Sequence, residues 1–308
     1  MVARALAGSD TSGTVCRARP PEPGAGRQWV VHRGRRGSIR RHPQAGRVAV
    51  DRRGWGGQAR CMTVLGITGA SGGLGVSTLV CALGAATARA GLSGCVVDGE
   101  VFTGGLQVTA GVEHEPGYRW RDLGEVDGAV DGGRILARLP AAGGCAVLSA
   151  GRHTAAPEGL VEAVLPADAF RSVVSALDAV CDLVVVDWGR GDPVPGVAAA
   201  DVVLAGLSPR GLADVVAFVA RAGGTAYDGV ITRSRRADAS LAEALGARIR
   251  LPLLGQLADD RSVARCVVQG ELPGQRARGP LSRLATTLVN AVTTSAPRVA
   301  AAAGVRTG

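Results

Sequence analysis

Residues 68–78 read TGASGGLGVST and follow a short aliphatic run. Four glycines, Gly69, Gly72, Gly73 and Gly75, fall within seven positions, and two hydroxyl residues come after them. Glycines let the backbone turn so tightly that its N–H groups can face a phosphate at the positive end of the next helix. The stretch therefore predicts a nucleotide-binding loop between a strand and a helix, rather than an ordinary turn.

From residue 62 onward, short aliphatic runs alternate with longer segments of helical spacing. Continuous aliphatic strands separated by helices predict a parallel sheet that is covered on both faces. We therefore expect an α/β fold with a doubly wound, mostly parallel sheet. The predicted strands are 63–68, 94–98, 145–148, 183–187, 201–207, 229–232 and, more weakly, 251–257. The predicted helices are 77–90, 167–180, 212–222, 239–245, 261–268 and 280–292.

Carboxylates stand at the ends of two predicted strands. The sequence VVDGE (96–100) places Asp98 and Glu100 after the second strand, and CDLVVVDWGRG (181–191) ends the fourth strand with Asp187. Each acid taken alone could equally be a turn or helix cap. Ligands of such sheets bind at the carboxyl ends of the strands, so the glycine loop and these acids together predict one site.

The chain contains no lysine, and all 35 of its basic residues are arginine. The string TGASGGLG resembles the dinucleotide-binding turn of short-chain dehydrogenases, which also use a Tyr-x-x-x-Lys pair whose lysine lowers the tyrosine pKa. Tyr118 and Tyr227 are the only tyrosines, and no lysine can follow them. An NAD(P)-dependent dehydrogenase is therefore a disfavoured alternative.

A phosphate-binding P-loop fits the same residues better. The pattern GxxxxGK[ST] maps onto residues 70–77, where Gly75 fits and Ser77 can offer its hydroxyl to Mg²⁺. Ala70 replaces the first glycine of the pattern, and Val76 replaces its lysine. The apolar strand that ends in Asp187 has the form of a Walker B segment. The three elements occur in the order that a P-loop protein requires.

Three segments are more specific than a generic P-loop. They read ASGGLGVSTL (70–79), VVDGEVFTGGLQVTAGVEHEPGYRWRDL (96–123) and CDLVVVDWGR (181–190). With them, residues 62–292 resemble the MinD/ParA superfamily of deviant-Walker ATPases, and more narrowly its septum-site-determining, CpaE-like branch in actinobacteria. The resemblance implies a P-loop NTPase fold of the SIMIBI, MinD/ParA type. It also implies ATP or ADP with Mg²⁺ as cofactors, a homodimer, and partners from cell division or from a pilus or secretion apparatus.

The resemblance assigns roles to individual residues. Ser77 matches the hydroxyl that binds Mg²⁺, and Asp187 matches the acid that contacts Mg²⁺ through water. Asp98 is a further candidate metal ligand. Glu100 takes the place of the aspartate that orients the attacking water, with a side chain one carbon longer. The implied nucleotide-binding residues are Gly72, Gly73, Leu74, Gly75, Val76, Ser77 and Thr78.

Two positions depart from this family. Ser71 stands where the resemblance implies a lysine that reaches the partner's phosphates in a dimer, and Val76 stands where the P-loop lysine belongs. Loss of one such electrostatic donor typically costs about 10²–10³ in rate. We therefore expect a nucleotide-binding pseudo-ATPase with weak or absent hydrolysis. The alternative is an active ATPase in which an arginine, Arg190 or Arg210, replaces a lysine.

Positive charge is concentrated at the start of the chain. Residues 1–61 hold 13 arginines against three acids, whereas residues 62–308 hold 22 against 23. We expect a basic, disordered extension over 1–61, a P-loop domain over 62–295, and a flexible tail over 296–308. Binding to nucleic acid is expected only through the basic extension.

The remaining patterns concern the compartment. The seven cysteines lack CxxC spacing, and no run of about 18 strongly apolar residues occurs, so we expect a cytoplasmic protein without a membrane span. Leu281, Leu284, Leu288 and Val292 form a stripe on the last predicted helix. The stripe predicts core packing, with peripheral contact at the inner face of the plasma membrane as the alternative.

Overall fold

The structure is a computed structural model that describes residues 64–100, 105–123, 130–151, 166–222 and 226–294. The predicted extension over 1–61 and the tail over 296–308 both lie outside the described residues. All elements named below belong to the described ranges.

Eight strands form one sheet. They are β1 (Val64–Gly69), β2 (Gly94–Asp98), β3 (Ala141–Ala142), β4 (Cys145–Leu148), β5 (Leu183–Asp187), β6 (Ala200–Gly206), β7 (Gly229–Ser234) and β8 (Leu253–Ala258). Their order in the sheet is β3-β4-β2-β5-β1-β6-β7-β8. Every neighbouring pair is parallel except β3 and β4, which are antiparallel. The predicted α/β fold with a mostly parallel sheet is confirmed.

Eight α-helices and one 3-10 turn (Trp120–Asp122) accompany the sheet in the described ranges. The helices are α1 (Val76–Arg89), α2 (Gly105–Ala110), α3 (Gly132–Leu136), α4 (Ala167–Asp178), α5 (Pro209–Arg221), α6 (Ala239–Ile249), α7 (Arg261–Val268) and α8 (Gly279–Thr294). One face of the sheet packs against α1, α2 and α8, and the other face packs against α3 and α4 at one end and α5 and α6 at the other. The sheet is therefore doubly wound.

The alternation of side chains along β1 shows how the two apolar cores are divided. Leu65 and Ile67 point into the core that contains α1 and α8. Val64 points into the opposite core, beside α4. Both faces of the strand are apolar because both are covered, as expected for a parallel strand in the centre of a sheet.

Several element boundaries differ from the sequence prediction. Helix α5 begins at Pro209 rather than residue 212, because the Ser208 side chain accepts a hydrogen bond from the Gly211 N–H and proline is favourable in the first turn. Helix α6 continues through Gly246 to Ile249 instead of ending at residue 245, and it closes at Arg250, which has a φ of 59°. The sequence prediction also omitted the short elements α2, α3 and β3.

The last helix contributes to the core. Leu281, Leu284, Leu288 and Val292 of α8 are all buried in the cluster that contains α1. The prediction that this stripe packs inside the domain is confirmed. No helix in the described ranges is both long and apolar enough to cross a bilayer.

Because Gly66 has no side chain, the indole of Trp188 can lie across the central strand β1. A Cβ atom at Gly66 would lie 1.9 Å from the Asp201 Oδ1 and 2.3 Å from the Trp188 Nε1, and these two atoms form a hydrogen bond of 2.8 Å. Gly66→Ala should therefore break this bond and crowd the indole. We expect the free energy of unfolding to fall by at least about 2 kcal/mol in chemical denaturation.

A matched control is available in α3. Gly133 is exposed, and a Cβ there would meet only the Asp131 side chain at 3.3 Å. Gly133→Ala should leave the free energy of unfolding unchanged or raise it slightly, because alanine is the better helix former. Equal stabilities of the two variants would contradict the packing described around Gly66.

Candidate nucleotide-binding site

Three adjacent strands bring the predicted site together. In the sheet, β5 lies between β2 and β1, and Asp98 is the register partner of Asp187. Asp187 in turn pairs with Ile67, two residues before the loop. The glycine loop and the carboxylates of the sequence prediction therefore meet at one edge of the sheet.

The loop is fixed where it leaves β1. The Gly69 N–H donates to the Gly189 carbonyl at 2.8 Å, and the Ala70 N–H donates to the Leu204 carbonyl at 3.0 Å. The loop thus connects to both neighbouring strands, β5 and β6. The start of the loop is therefore held by backbone hydrogen bonds on both sides.

Glycine conformation shapes the rest of the loop. Gly73 and Gly75 have φ values of 74° and 87°, and Gly75 is the N-cap of α1 without any side-chain cap. In the described part of the chain, the N–H groups of Gly72, Gly73 and Gly75 have no hydrogen-bond partner. Consecutive donors of this kind at a helix N-terminus form a concave site for an anion.

Val76 lies beneath the loop instead of reaching out of it. Its side chain is 8% exposed and belongs to the core around α1. A Cβ atom at Gly69 would come within 2.9 Å of the Val76 Cγ2. The aliphatic side chain therefore fills space under the turn, and the position that carries the P-loop lysine in the predicted family supplies no charge here.

The predicted magnesium residues Ser77 and Asp187 contact each other. The Ser77 hydroxyl lies near the Asp187 carboxylate and favours its charged form, and the Gly189 N–H donates to the Asp187 Oδ1 at 2.9 Å. Burial raises the pKa of Asp187, while the Ser77 hydroxyl and the Gly189 N–H oppose the shift. A hydroxyl and a carboxylate side by side are suited to Mg²⁺, which prefers oxygen ligands and retains several waters.

Asp98 is engaged with the segment that follows β2. It is 2% exposed, and its carboxylate accepts the Glu100 N–H at 3.1 Å and the Leu106 N–H at 2.9 Å. Burial raises the pKa of Asp98 to about 7, although both backbone donors favour the charged form. The side chain therefore acts as a cap for α2, and a direct metal contact by Asp98 stays a prediction.

The Glu100 side chain occupies space that is open because residue 189 is a glycine. A Cβ atom at Gly189 would lie 1.7 Å from the Glu100 Oε2, and Gly189 has a φ of 58°. The glutamate carboxylate thus rests against the loop that follows β5. Glycine at this position accommodates the extra carbon that distinguishes Glu100 from an aspartate.

An aromatic stack lies behind the strand ends, and the sequence analysis missed it. The ring centroids of Trp120 and Phe170 are 5.0 Å apart, and those of Phe170 and Trp188 are 5.4 Å apart. The Trp120 Nε1 donates to the Asp98 carbonyl at 2.6 Å, and the Trp188 Nε1 donates to the Asp201 Oδ1. The available signal was the rarity of aromatic residues, which make up 3% of the chain.

Arg190 and Arg210 both line a cleft of about 720 Å³ beside the loop, together with Ser71 and Gly72. The Arg190 side chain lies across Gly72, with its Cδ 3.7 Å from where a Cβ would stand. The Arg210 side chain is 92% exposed and pairs with Asp214 at 3.8 Å. Of these two arginines, Arg190 is therefore the one that lies against the loop.

A third arginine near the loop, Arg233 at the end of β7, was not predicted. Its Nη1 donates to the carbonyls of Gly73 at 3.2 Å and Leu74 at 2.5 Å. Its Nη2 pairs with the Asp259 carboxylate at 3.4 Å. Arg233 therefore holds the outer side of the loop by hydrogen bonds. A Cβ atom at Gly75 would lie 2.9 Å from the Arg233 Nη1.

The residues fit a magnesium nucleotide only in part. Among the described residues, no group of three His, Cys, Asp or Glu side chains is arranged to hold a metal ion by itself. The Ser77 hydroxyl and the Asp187 carboxylate would need phosphate oxygens and waters to complete the shell. The free N–H groups of the loop fit a phosphate, whereas Val76 and Ser71 supply no positive charge.

Asp98 makes the stability of the protein depend on pH. Its pKa is about 7 in the folded protein against an ordinary value of 3.8, so the folded state binds the proton more tightly. Asp98 therefore lowers the free energy of unfolding as pH rises from about 4 to about 7. Between pH 5 and pH 7, the free energy of unfolding of Asp98→Asn should therefore fall by about 2 kcal/mol less than that of the unmodified chain.

Urea unfolding at several pH values measures this difference. Asp131→Asn replaces an exposed cap at the start of α3 and serves as the control. Its free energy of unfolding should run parallel to that of the unmodified chain across this pH range. A parallel curve for Asp98→Asn would contradict the account of this buried carboxyl.

Comparison by sequence finds relatives that match only part of the chain. No family model matches the chain. Uncharacterised proteins from two strains of Mycobacterium tuberculosis are 36% identical over 124 residues. This match spans 40% of the chain and 33% of each relative.

Solved structures match a larger part of the chain. The MinD cell division protein of Aquifex aeolicus is 17% identical with a TM-score of 0.58, covering 77% of this chain and 99% of that one. A ParA family ATPase of Chlorobium tepidum is 12% identical with a TM-score of 0.59, covering 74% and 98%. MinD of Pyrococcus horikoshii, solved with Mg-ADP, is 18% identical with a TM-score of 0.57, covering 75% and 95%. The chain therefore has the P-loop NTPase fold of the MinD and ParA ATPases.

Proposed function

We propose that this chain binds ATP and Mg²⁺ at residues 69–78 and hydrolyses ATP weakly or not at all. The observation that supports this proposal best is a glycine loop whose N–H donors have no partner in the described part of the chain, next to the Ser77 hydroxyl and the buried Asp187 carboxylate. Backbone donors recognise phosphate without any lysine. ADP would bind at the same place.

The residues divide between binding and chemistry. Gly72, Gly73 and Gly75 would cradle a phosphate, and Ser77 and Asp187 would hold Mg²⁺, which neutralises charge on the phosphate oxygens when bound. Glu100 would orient the attacking water if hydrolysis takes place at all. Its carboxylate rests against Gly189, at the edge of the same group of residues.

Hydrolysis is expected to be slow because both lysine positions lack a charge. Phosphoryl transfer depends almost wholly on positioning and on charge stabilisation of the transferred group. Val76 is buried below the loop, and Ser71 lines the cleft with a neutral side chain. The absence of one donor typically lowers the rate by about 10²–10³, so two absences leave binding as the main activity.

The cellular role that fits such a protein is positioning. One MinD structure with this fold is a complex with the cell division protein MinC. By analogy, this chain would act as a homodimer in septum-site selection, or in placing a pilus or secretion apparatus, as the CpaE-like resemblance implies. We propose a cytoplasmic location, with peripheral contact at the inner face of the plasma membrane as the alternative. Contact with nucleic acid is proposed only through residues 1–61.

Titration calorimetry of the full chain tests the binding proposal. We expect saturable, Mg²⁺-dependent binding of ATP and ADP and no binding of NADPH. Ser77→Ala should weaken ATP binding at least about tenfold in the presence of Mg²⁺, since hydrogen bonds to charged groups contribute about 1.5–3 kcal/mol. Ser240→Ala, an exposed change on α6, is the matched control and should match the unmodified chain. Tight NADPH binding without ATP binding would overturn the proposal.

Steady-state ATP turnover tests the proposed loss of hydrolysis. Ser71→Lys places a charge in the cleft and should raise turnover about tenfold or more above the unmodified chain. Ser71→Gln, which is long but neutral, should leave turnover unchanged. If the unmodified chain already hydrolyses ATP as fast as Ser71→Lys, it is an active ATPase that uses arginine in place of lysine.

A further inference from the structure

We infer that Arg190 supplies the positive charge that meets the terminal phosphate of a nucleotide bound at residues 69–78. This inference rests on the proposed function, because it requires a nucleotide at that loop. It assigns to Arg190 the binding of the terminal phosphate and leaves the expected slow hydrolysis unchanged.

Position is the first argument. Three atoms of the Arg190 side chain, its Cδ, Nε and Nη1, lie 3.7 to 4.0 Å from where a Cβ of Gly72 would stand. The side chain therefore runs along the outer turn of the loop. It shares the cleft with Ser71, the position from which the predicted family extends a lysine.

The segment that carries Arg190 is joined rigidly to the loop. The Gly69 N–H donates to the Gly189 carbonyl at 2.8 Å, and the Thr68 hydroxyl donates to the Gly191 carbonyl at 3.0 Å. Trp188 is held by its ring contact with Phe170. Both neighbours of Arg190 are thus tied to β1, so its backbone is already placed for the ligand, which limits the cost of reorganisation.

The other arginines around the loop have partners. Arg233 donates to two loop carbonyls and pairs with Asp259. Arg221 pairs with Asp192 at 2.8 Å, and Arg210 pairs with Asp214. Across the described ranges, Arg190 forms no ion pair.

The chemistry suits a phosphate. A guanidinium is always charged and can donate two parallel N–H bonds to phosphate oxygens. The phosphate nearest to Gly75 would be bound by the N-terminus of α1. Arg190 lies over Gly72, toward the other end of the loop, so it would meet a phosphate beyond the one bound near Gly75. Arg190 therefore distinguishes a triphosphate from a diphosphate.

Binding measurements on the full chain test this role. Arg190→Gln should weaken ATP binding in Mg²⁺ at least about tenfold and ADP binding by no more than about threefold. Arg190→Lys should retain most of the affinity for ATP. Arg248→Gln, an exposed arginine of α6 that does not line the cleft, should bind both nucleotides within about twofold of the unmodified chain. Unfolding temperatures without nucleotide should agree among all four proteins, because both side chains are exposed.

The outcomes separate this inference from the proposed function. Failure of the unmodified chain to bind ATP would overturn both. Normal ATP binding by Arg190→Gln, or an equal loss for ATP and ADP, would overturn only the role of Arg190. A loss confined to ATP, partly restored by Ser71→Lys in the Arg190→Gln background, would support it, because the two positions share one cleft.

Discussion

The junction between the ends of β1 and β5 holds every other feature of the site in place. The Gly69 N–H and the Thr68 hydroxyl both donate to the segment after β5, at Gly189 and Gly191. The Trp188 side chain crosses the bare backbone of Gly66 to reach Asp201. These contacts fix the backbone of the glycine loop, of Asp187 and of Arg190 relative to one another.

This junction keeps the shape of the loop independent of any lysine. The loop is shaped by glycine conformation and backbone hydrogen bonds, neither of which involves a lysine. Val76 even adds apolar burial beneath the turn. In the proposed function, N–H groups of the loop would bind a phosphate although positions 71 and 76 carry no charge, so binding and hydrolysis would be separate properties.

The sequence predicted the elements whose patterns are long or sharply bounded. Strands β2, β4 and β5 and helix α7 have the predicted limits, because aliphatic runs or charged caps mark their ends. Helices α2 and α3 have only six and five residues, too few to show a helical period. Their positions depend on tertiary contacts, such as the cap that Asp98 provides to α2.

The residues of the candidate site also fall into those that the sequence predicted and those that it did not. Gly69 ends β1, Asp187 ends β5, and Ser77 lies in the first turn of α1, so the pattern of strands and helices placed them together. Arg233 is about 160 residues from the loop that it braces, and no local pattern links the two. The close approach of Glu100 to Gly189 also joins segments that are distant in the sequence, and so does the aromatic stack. No local sequence pattern predicts either contact.

The central claim is that backbone donors of the loop bind phosphate without lysine. Backbone amide NMR of the full chain, recorded while ATP and Mg²⁺ are added, measures this directly. The account predicts saturable shifts at Gly72, Gly73 and Gly75, with little change at Gly91 and Gly196, two left-handed glycines in open space. No shift at the loop glycines, or shifts confined to other parts of the chain, would contradict it.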